Sequence, residues 1–347
     1  MLPLVLRLVV VFVVGVWLGS VVNWAVDTFA WQPPSARRTG VRPLLVRIGL
    51  GAGLAWLYWW EIARLGLLHD QLGGFAVVPP SWPLHLQFIS QALLICWMLA
   101  ASLIDIDEKI IPDEITVTGT LLGLVLAASA PISLLPSIVV GAPARGVSGV
   151  PLMRPADGQA VDAVGRPIGL EPTTTTSPNV WPPAWGRPRH WESLLVGLFC
   201  YWLWCFALAP RIWRGRRGPV FALRLIAARL RREFGRPPMR LLFVTGTAAI
   251  ICVWTFGASS WAGLLTSLVG LVASGGIVWA VRIIGSAALG KEAMGFGDVT
   301  LMMMIGTFLG WQASLITFFV SPFAALVVGL IQFAMRRGDV IPFGPFL

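Results

Sequence analysis

Two acid-bearing stretches of the sequence place a carboxylate at the edge of an apolar run. Asp105 directly follows the run "ALLICWMLAASLI", and Asp298 leads into the methionine-rich run in "KEAMGFGDVTLMMM". An ionisable residue at membrane depth is costly to keep and therefore suggests a functional site. Two carboxylates brought together share a proton, so one could activate a water while the other protonates a leaving amine. Such a pair would perform acid–base hydrolysis of a peptide bond.

Several of the neighbouring residues have a structural interpretation as well. An aspartate at a helix start is commonly an N-cap worth about 1 kcal/mol, and this explanation is open for Asp298. We favour the N-cap explanation for Asp113, because Pro112 interrupts the helix just before this residue. Gly295 and Gly297 would permit a tight turn or the close approach of another helix. Three more residues are interpreted as a solvated loop: Asp107, Glu108 and Lys109.

The composition indicates that these acids lie in a membrane protein. The 347 residues are 56% hydrophobic and only 12% charged, with a mean hydropathy of +0.78, whereas soluble domains carry roughly 25% charged residues. Apolar runs recur near the length that crosses a bilayer. We predict an all-α, polytopic membrane bundle with about eight to nine spans. The predicted spans are residues 4–26, 44–65, 86–104, 115–139, 192–210, 241–257, 260–284, 299–316 and 318–335.

Three of these spans have an alternative interpretation. The first could be mistaken for a signal peptide, but its apolar core is long and contains Asn23, so we interpret it as a retained span. The last two spans could instead form one broken helix. The expected breaks there are Gly306, Gly310 and Pro322.

Arginine-rich connections predict the orientation of the chain. Segment 211–240 holds ten arginines against one acid, and segment 31–43 holds three arginines. Such loops are cytoplasmic by the positive-inside rule, and alternation then places 105–114 and 285–298 on the cytoplasmic side too. Asp105 and Asp298 should therefore lie at the same depth on the same side. The net charge of +10 is explained by orientation and by contact with anionic lipid head groups, not by nucleic acid.

The long segment 140–191 is rich in Pro, Gly and Thr and lacks helical periodicity. We predict an irregular extracytoplasmic loop there. A plain linker is the favoured role, and a lectin-like or partner-docking role is the alternative.

Cysteine and histidine give no sign of a metal site. The four cysteines lie inside apolar runs without a CxxC pair, and the three histidines are isolated. We interpret the cysteines as packing residues and predict no bound metal.

Three motifs together resemble the type IV prepilin peptidases, which are intramembrane aspartic proteases of the GxGD type. They are "LIDIDEKIIPDEIT", "GFGDVTLMMMIGTFLGWQ" and "IPFGPFL", in the family's order, and they cover residues 86–347. The resemblance implies that Asp105 and Asp298 are the catalytic pair. It also implies that Gly295 and Gly297 are the motif glycines and that Asp113 is the acid that follows the motif proline.

The resemblance implies a substrate and a location. The substrate would be the basic leader of a type IV prepilin-like or pseudopilin precursor, as found in type IV pilus and type II secretion systems. Cleavage would occur at the cytoplasmic face of the bacterial inner membrane. Residues 1–85 would form an N-terminal two-span region and residues 86–347 the peptidase core, with 211–240 as a basic cytoplasmic segment.

The chain departs from the family pattern in its first cytoplasmic loop. Many members carry two CxxC pairs there, as a zinc site in a region linked to N-methylation of the mature pilin, but "WQPPSARRTGVRPLL" has no cysteine. We therefore expect no structural zinc, no N-methyltransferase activity and no use of S-adenosylmethionine. Proteolysis by the aspartate pair would require no cofactor.

Two other functions remain open at this point. A catalytically inactive relative could act as a scaffold in pilus or secretion-system assembly. An ion- or proton-coupled transporter could also use paired acids, but it would carry polar residues at mid-depth in several spans and repeat symmetry. The sequence has acids at one face only.

Overall fold

The computed structural model describes residues 3–31, 40–66, 81–135, 137–140, 149–155, 170–176, 181–182, 184–185, 189–208, 232, 235, 237–290, 294–334 and 345. Most of the predicted basic segment 211–240, the loop 67–80 and nearly all of "IPFGPFL" lie outside these residues. Eight α-helices are described: α1 (Leu4–Phe29), α2 (Arg42–Tyr58), α3 (Ser81–Glu108), α4 (Asp113–Ser129), α5 (Trp191–Leu208), α6 (Pro237–Phe256), α7 (Ala258–Leu289) and α8 (Phe296–Ala334).

The predicted all-α membrane bundle is confirmed. Within the described ranges, α1, α3, α5, α6, α7 and α8 each contain a segment long and apolar enough to cross a membrane. The remaining helices, α2 and α4, have 17 residues each, and α2 continues into a π-helical turn at Trp59–Ala63. The predicted eight to nine spans are therefore an approximate count.

Residues 299–335, predicted as two spans at 299–316 and 318–335 or as one broken helix, lie almost entirely in α8, which is broken at one of the three expected positions. The single helix α8 is interrupted at Gly310, whose φ of 76° and ψ of 176° are not helical. Glycine tolerates this positive φ because it has no Cβ. Side-chain hydroxyls stabilise the break: Ser267 Oγ donates to the Thr307 carbonyl and Ser314 Oγ to the Gly310 carbonyl, both at 2.7 Å. Pro322, by contrast, lies within the helix.

The predicted span 115–139 is also too long. Helix α4 ends at Ser129, and a 3₁₀ turn follows at Pro131–Ser133. Proline lacks the N–H that continued helix would need and clashes with the preceding turn, so Pro131 ends the span ten residues early.

The prediction of an irregular loop over 140–191 is wrong in part. Strands β1 (Ser137–Val140), β2 (Gly149–Pro155) and β3 (Leu170–Thr176) form a small antiparallel sheet in the order β1-β3-β2. Thr176 pairs with both Ser137 and Gly149. The sequence of these strands is rich in β-branched residues, including the run Thr173–Thr176, and such residues favour extended backbone.

The bundle is packed through small residues that let helices approach closely. Helix α7 contacts α8 where Gly270 faces Gly306, and Ser274 Oγ donates to the Met302 carbonyl at 2.9 Å. Helices α1 and α2 meet in the same way, where Gly15 faces Gly51. Close backbone contact of this kind stabilises helix pairs in membranes, where the hydrophobic effect does not drive association.

Candidate active site

Asp105 lies in the last turn of α3. The apolar run before it forms the helix interior, and the neighbouring Ile104 is fully buried. The helix ends at Glu108, and Lys109 takes a left-handed φ of 56° while its N–H donates to the Asp105 carbonyl at 2.8 Å. The Asp105 side chain is 6% exposed. The chain therefore holds a buried carboxylate at the very end of a membrane helix.

Asp298 lies in the first turn of α8, which begins at Phe296. The residue is 9% exposed, and the Gly295 N–H donates a hydrogen bond to its carboxylate. Thr300 Oγ1 donates to the Gly297 carbonyl at 3.0 Å, which fixes the same turn. An acid in the first turn interacts favourably with the helix dipole, so this position lowers part of the free-energy cost of burying a carboxylate.

The structure brings these two aspartates together. They are 193 positions apart in the sequence, yet the Asp298 carboxylate is close enough to Asp105 to experience its electrostatic repulsion. The loop after α3 packs on the first turn of α8, since a Cβ added to Gly297 would lie 3.1 Å from Ile111 Cβ. Both helix ends thus lie on one side of the bundle, as the arginine distribution predicts.

The two motif glycines, Gly295 and Gly297, differ in how much space a side chain would have at each position. Neither has a positive φ, so neither is needed for a left-handed turn. A Cβ on Gly295 would lie 3.5 Å from Asp298 Oδ2, an ordinary contact, whereas Gly297 has no such room beside Ile111. Gly297 therefore permits the close approach of the loop after α3 to the first turn of α8.

The expectation that Asp113 caps α4 is wrong. Pro112 occupies the N-cap position, and no side chain caps this helix end. Pro112 itself has extended backbone, and its carbonyl accepts from the N–H groups of Ile115 and Thr116 at 3.2 and 3.4 Å. Asp113 is instead an acid in the first turn. Partial removal from solvent and the adjacent charge of Glu114 raise its pKa above the ordinary value.

The expectation that Asp107 and Glu108 belong to a solvated loop is also wrong, because both complete α3. The Asp107 side chain is only 15% exposed, and its Oδ1 accepts from Arg42 Nη1 at 2.7 Å. The sequence analysis missed this ion pair. Arg42 follows a polar loop, and its distance of 65 residues from Asp107 gave no signal of contact.

A second missed carboxylate is Glu61, in the π-helical turn that ends α2. It is 7% exposed and accepts a hydrogen bond from Gln91 of α3. Nearby, Tyr58 and His85 are joined by a hydrogen bond of 3.0 Å. A charged residue inside the apolar segment 44–65 was the available signal. These residues link α2 to the end of α3 opposite to Asp105.

The described residues contain no group of three or more His, Cys, Asp or Glu side chains that could hold a metal ion. A polytopic helical membrane protein with two buried aspartates at adjoining helix ends has the architecture of an intramembrane acidic site.

Comparison with known proteins shows which family of membrane proteins this chain is similar to. The model of the type IV leader peptidase family matches residues 92–154 and 237–330, so each aspartate lies in one of the two matched segments. Through these segments the chain is similar to the type IV leader peptidase family. The resemblance drawn from the three sequence motifs is thereby confirmed.

Curated relatives agree with the family. The chain is 36% identical over 101 residues to a protein of Stutzerimonas stutzeri and 35% identical over 101 residues to one of Pseudomonas aeruginosa. Each match covers 25% of this chain and 35% of the relative. A Burkholderia pseudomallei protein is 31% identical over 100 residues, covering 28% of this chain and 32% of the relative.

All three relatives bear the name prepilin leader peptidase/N-methyltransferase. The chain therefore spans about a third of the length of the curated relatives it matches. No solved structure matches it.

Proposed function

We propose that this protein is a membrane aspartic endopeptidase that removes the leader peptide from type IV prepilin-like or pseudopilin precursors. The observation that carries the proposal is the burial of Asp105 and Asp298 side by side at adjoining helix ends. Burial of two like charges is unfavourable unless they share a proton, and a protease of this class uses that state. The family assignment and the names of the relatives support the same reaction.

The pair can divide the chemistry of hydrolysis between its members. One carboxylate takes a proton from a water as that water attacks the scissile carbonyl carbon. The other, protonated, carboxyl group then donates its proton to the leaving amine as the C–N bond breaks. Asp105 and Asp298 can alternate as general base and general acid on a shared water.

The position of the pair fits a substrate that is itself a membrane helix. Both aspartates lie at the ends of α3 and α8 rather than in their middles, so a bond just before a hydrophobic helix could reach them. The arginine-rich loops assign this end to the cytoplasm, and we propose the bacterial inner membrane as the location. Anionic lipid head groups are the expected partners of the basic segment 211–240.

We also propose that the protein does not methylate its product. The relatives' names include N-methyltransferase, but the loop from Trp31 to Leu45 lacks the cysteines that many family members carry. S-adenosylmethionine and zinc are therefore not expected as cofactors. The mass of the mature product's N-terminus, after incubation with S-adenosylmethionine, tests this point directly. A product heavier by one methyl group would overturn it.

The principal test is co-expression with a candidate prepilin that carries a basic leader. Asp105→Asn and Asp298→Asn keep the size of each side chain but remove its acid function, so we expect each to abolish cleavage. Glu114→Gln is the matched control, since Glu114 is an exposed acid next to the same site and should not alter cleavage. Protein levels in the membrane must be equal among the variants.

Other outcomes would favour other functions. If wild type fails to cleave but still restores pilus or secretion-system assembly in a deletion strain, the protein is a scaffold. If either asparagine variant cleaves normally, the two-aspartate mechanism is wrong. Movement of protons or cations into vesicles containing the purified protein would instead support the transporter.

A further inference from the structure

Arg42, the first residue of α2, makes two hydrogen bonds to the C-terminal end of α3. Arg42 Nη1 donates to Asp107 Oδ1 at 2.7 Å, and Nη2 donates to the Leu103 carbonyl at 3.2 Å. A guanidinium group is planar and rigid, so two simultaneous contacts fix both the distance and the orientation of its partner. Arg42 therefore restrains the end of α3 more closely than a single ion pair would.

The two hydrogen-bond partners of Arg42 on α3, Leu103 and Asp107, lie on either side of Asp105 in the sequence. Leu103 and Asp107 are four positions apart and so lie on one side of α3, one above the other. Asp105 lies between them, about 200° around the axis from Leu103 at 3.6 residues per turn. Arg42 thus holds the side of α3 that faces away from Asp105, while Asp105 faces Asp298. A restraint on the far side fixes the rotation of the helix and with it the position of the carboxylate.

The backbone next to Arg42 is in turn hydrogen-bonded to α1. Asn23 Nδ2 donates to the carbonyl of Pro43, the next residue, at 3.1 Å. The two helices approach so closely that a Cβ added to Gly19 would lie 2.6 Å from Arg47 Cα. The start of α2 is therefore fixed on α1, and the guanidinium transmits that fixed position to α3.

We propose that Arg42 is a positioning residue for Asp105, acting through Asp107 and the Leu103 carbonyl. The proposal rests on the function proposed above. The Arg42 and Asp107 side chains are 39% and 15% exposed, so loss of Arg42 removes an ion pair from a largely buried carboxylate and costs some folding stability. In the protein that remains folded, loss of the contact should alter the placement of Asp105.

A pocket beside this contact offers a control residue for the Arg42 variants and a site where a small compound could replace the lost guanidinium group. It has a volume of about 440 Å³, lies between α1, the start of α2 and the end of α3, and is lined by Arg42, Arg47 and Asp107 among others. Arg47 carries the same charge on the same helix and lines the same pocket. No hydrogen bond or ion pair to α3 is described for its side chain, which makes it a matched control for the loss of charge. The pocket is also large enough for a small guanidinium compound.

The test measures cleavage of a prepilin peptide substrate by purified full-length variants. Because a misplacement of about 1 Å can lower a rate by 10²-fold, we expect Arg42→Ala to lower kcat by about 10- to 100-fold while KM changes by less than about twofold. Arg42→Lys should recover only part of kcat, since it makes one contact in place of two. Methylguanidinium at millimolar concentration should raise kcat of Arg42→Ala. Arg47→Ala should behave as wild type, with or without methylguanidinium.

Several results would overturn the inference. A wild-type kcat for Arg42→Ala would show that the contact does not position Asp105. An equal loss in Arg47→Ala, or an effect confined to KM, would mean that the arginines affect substrate binding and do not position Asp105. If Arg42→Ala does not accumulate, Arg42→Gln takes its place, and a wild-type kcat there is equally decisive. Asp105→Asn, run alongside, separates the two ideas: if it still cleaves, the proposed function fails, and if it is inactive while Arg42 variants are normal, only the present inference fails.

Discussion

The contact between α7 and α8 should be essential for both stability and activity, and Gly306→Ala tests this. A Cβ at Gly306 would collide with the Gly270 carbonyl and with Ser274 Oγ. The carbonyl belongs to a helix backbone and cannot rotate away. Ser274 cannot easily move either, because its hydroxyl donates to the Gly270 and Met302 carbonyls at 2.5 and 2.9 Å. The added methyl group must therefore push the helices apart.

The size of the effect follows from comparison with Gly276→Ala on α7. No atom lies within 4 Å of a Cβ added at Gly276, so alanine there gains only its helix propensity, about 1 kcal/mol over glycine. Gly306→Ala gains the same amount but also overpacks the interface, which costs about 1–3 kcal/mol. The propensity gains cancel in the comparison. We therefore expect Gly306→Ala to unfold about 1–3 kcal/mol more easily than Gly276→Ala.

Activity should fall as well, because α8 carries Asp298 about 12 Å along the helix from Gly306 at 1.5 Å per residue. A displacement near 1 Å at the reacting groups can lower the rate by about 10²-fold. Unfolding in mixed micelles, followed by tryptophan fluorescence, and cleavage of a prepilin substrate measure the two effects. If Gly306→Ala is as stable and as active as Gly276→Ala, the packing argument and the account of how α8 is held are both wrong.

Two further predictions concern glycines whose requirements differ. Gly297→Ala should lower the rate of cleavage by about 10-fold or more, because its methyl group would press on Ile111 at 3.1 Å. Gly295→Ala meets only an ordinary contact of 3.5 Å and should lose less activity. Equal rates for the two variants in the cleavage assay would contradict this. Gly310→Ala should destabilise the protein by about 1 kcal/mol, because φ is 76° there and alanine is strained in that region. Gly53→Ala, in open space within α2, should be neutral or stabilising in the same unfolding measurement.

The membrane class and the pairing of Asp105 with Asp298 could be read from the sequence because each depends on a long-range regularity. Apolar runs of bilayer length are visible in composition alone. The side on which each run ends follows from the arginines in a few loops. Neither inference needs the exact end of a helix. The meeting of the two aspartates required only that both helix ends lie on the same side and that the helices be neighbours.

The errors arose where a single residue decides the local structure. Gly306, Gly310 and Pro322 were equal candidates for a break in α8, and only the tertiary contacts at Ser267 and Ser314 select Gly310. Whether an aspartate caps a helix depends on one backbone angle, which Pro112 rather than Asp113 adopts at the cap. Hydrophobic periodicity carries no information on such points, nor on small strands in a segment rich in Pro and Gly.

The position of Asp105 is restrained from two sides. On the side of Asp298, Ile111 packs on Gly297 and sets the distance between the loop after α3 and the first turn of α8. On the opposite side, Arg42 holds Asp107 and the Leu103 carbonyl. A carboxylate repelled by its neighbour would move away if either restraint were absent, since rotation of the free helix end would relieve the repulsion at little energetic cost. Two restraints at opposite sides would keep the carboxyl groups adjacent in a buried site where they share a proton, and the proposed role of Arg42 would make the N-terminal hairpin of α1 and α2 a support of that site.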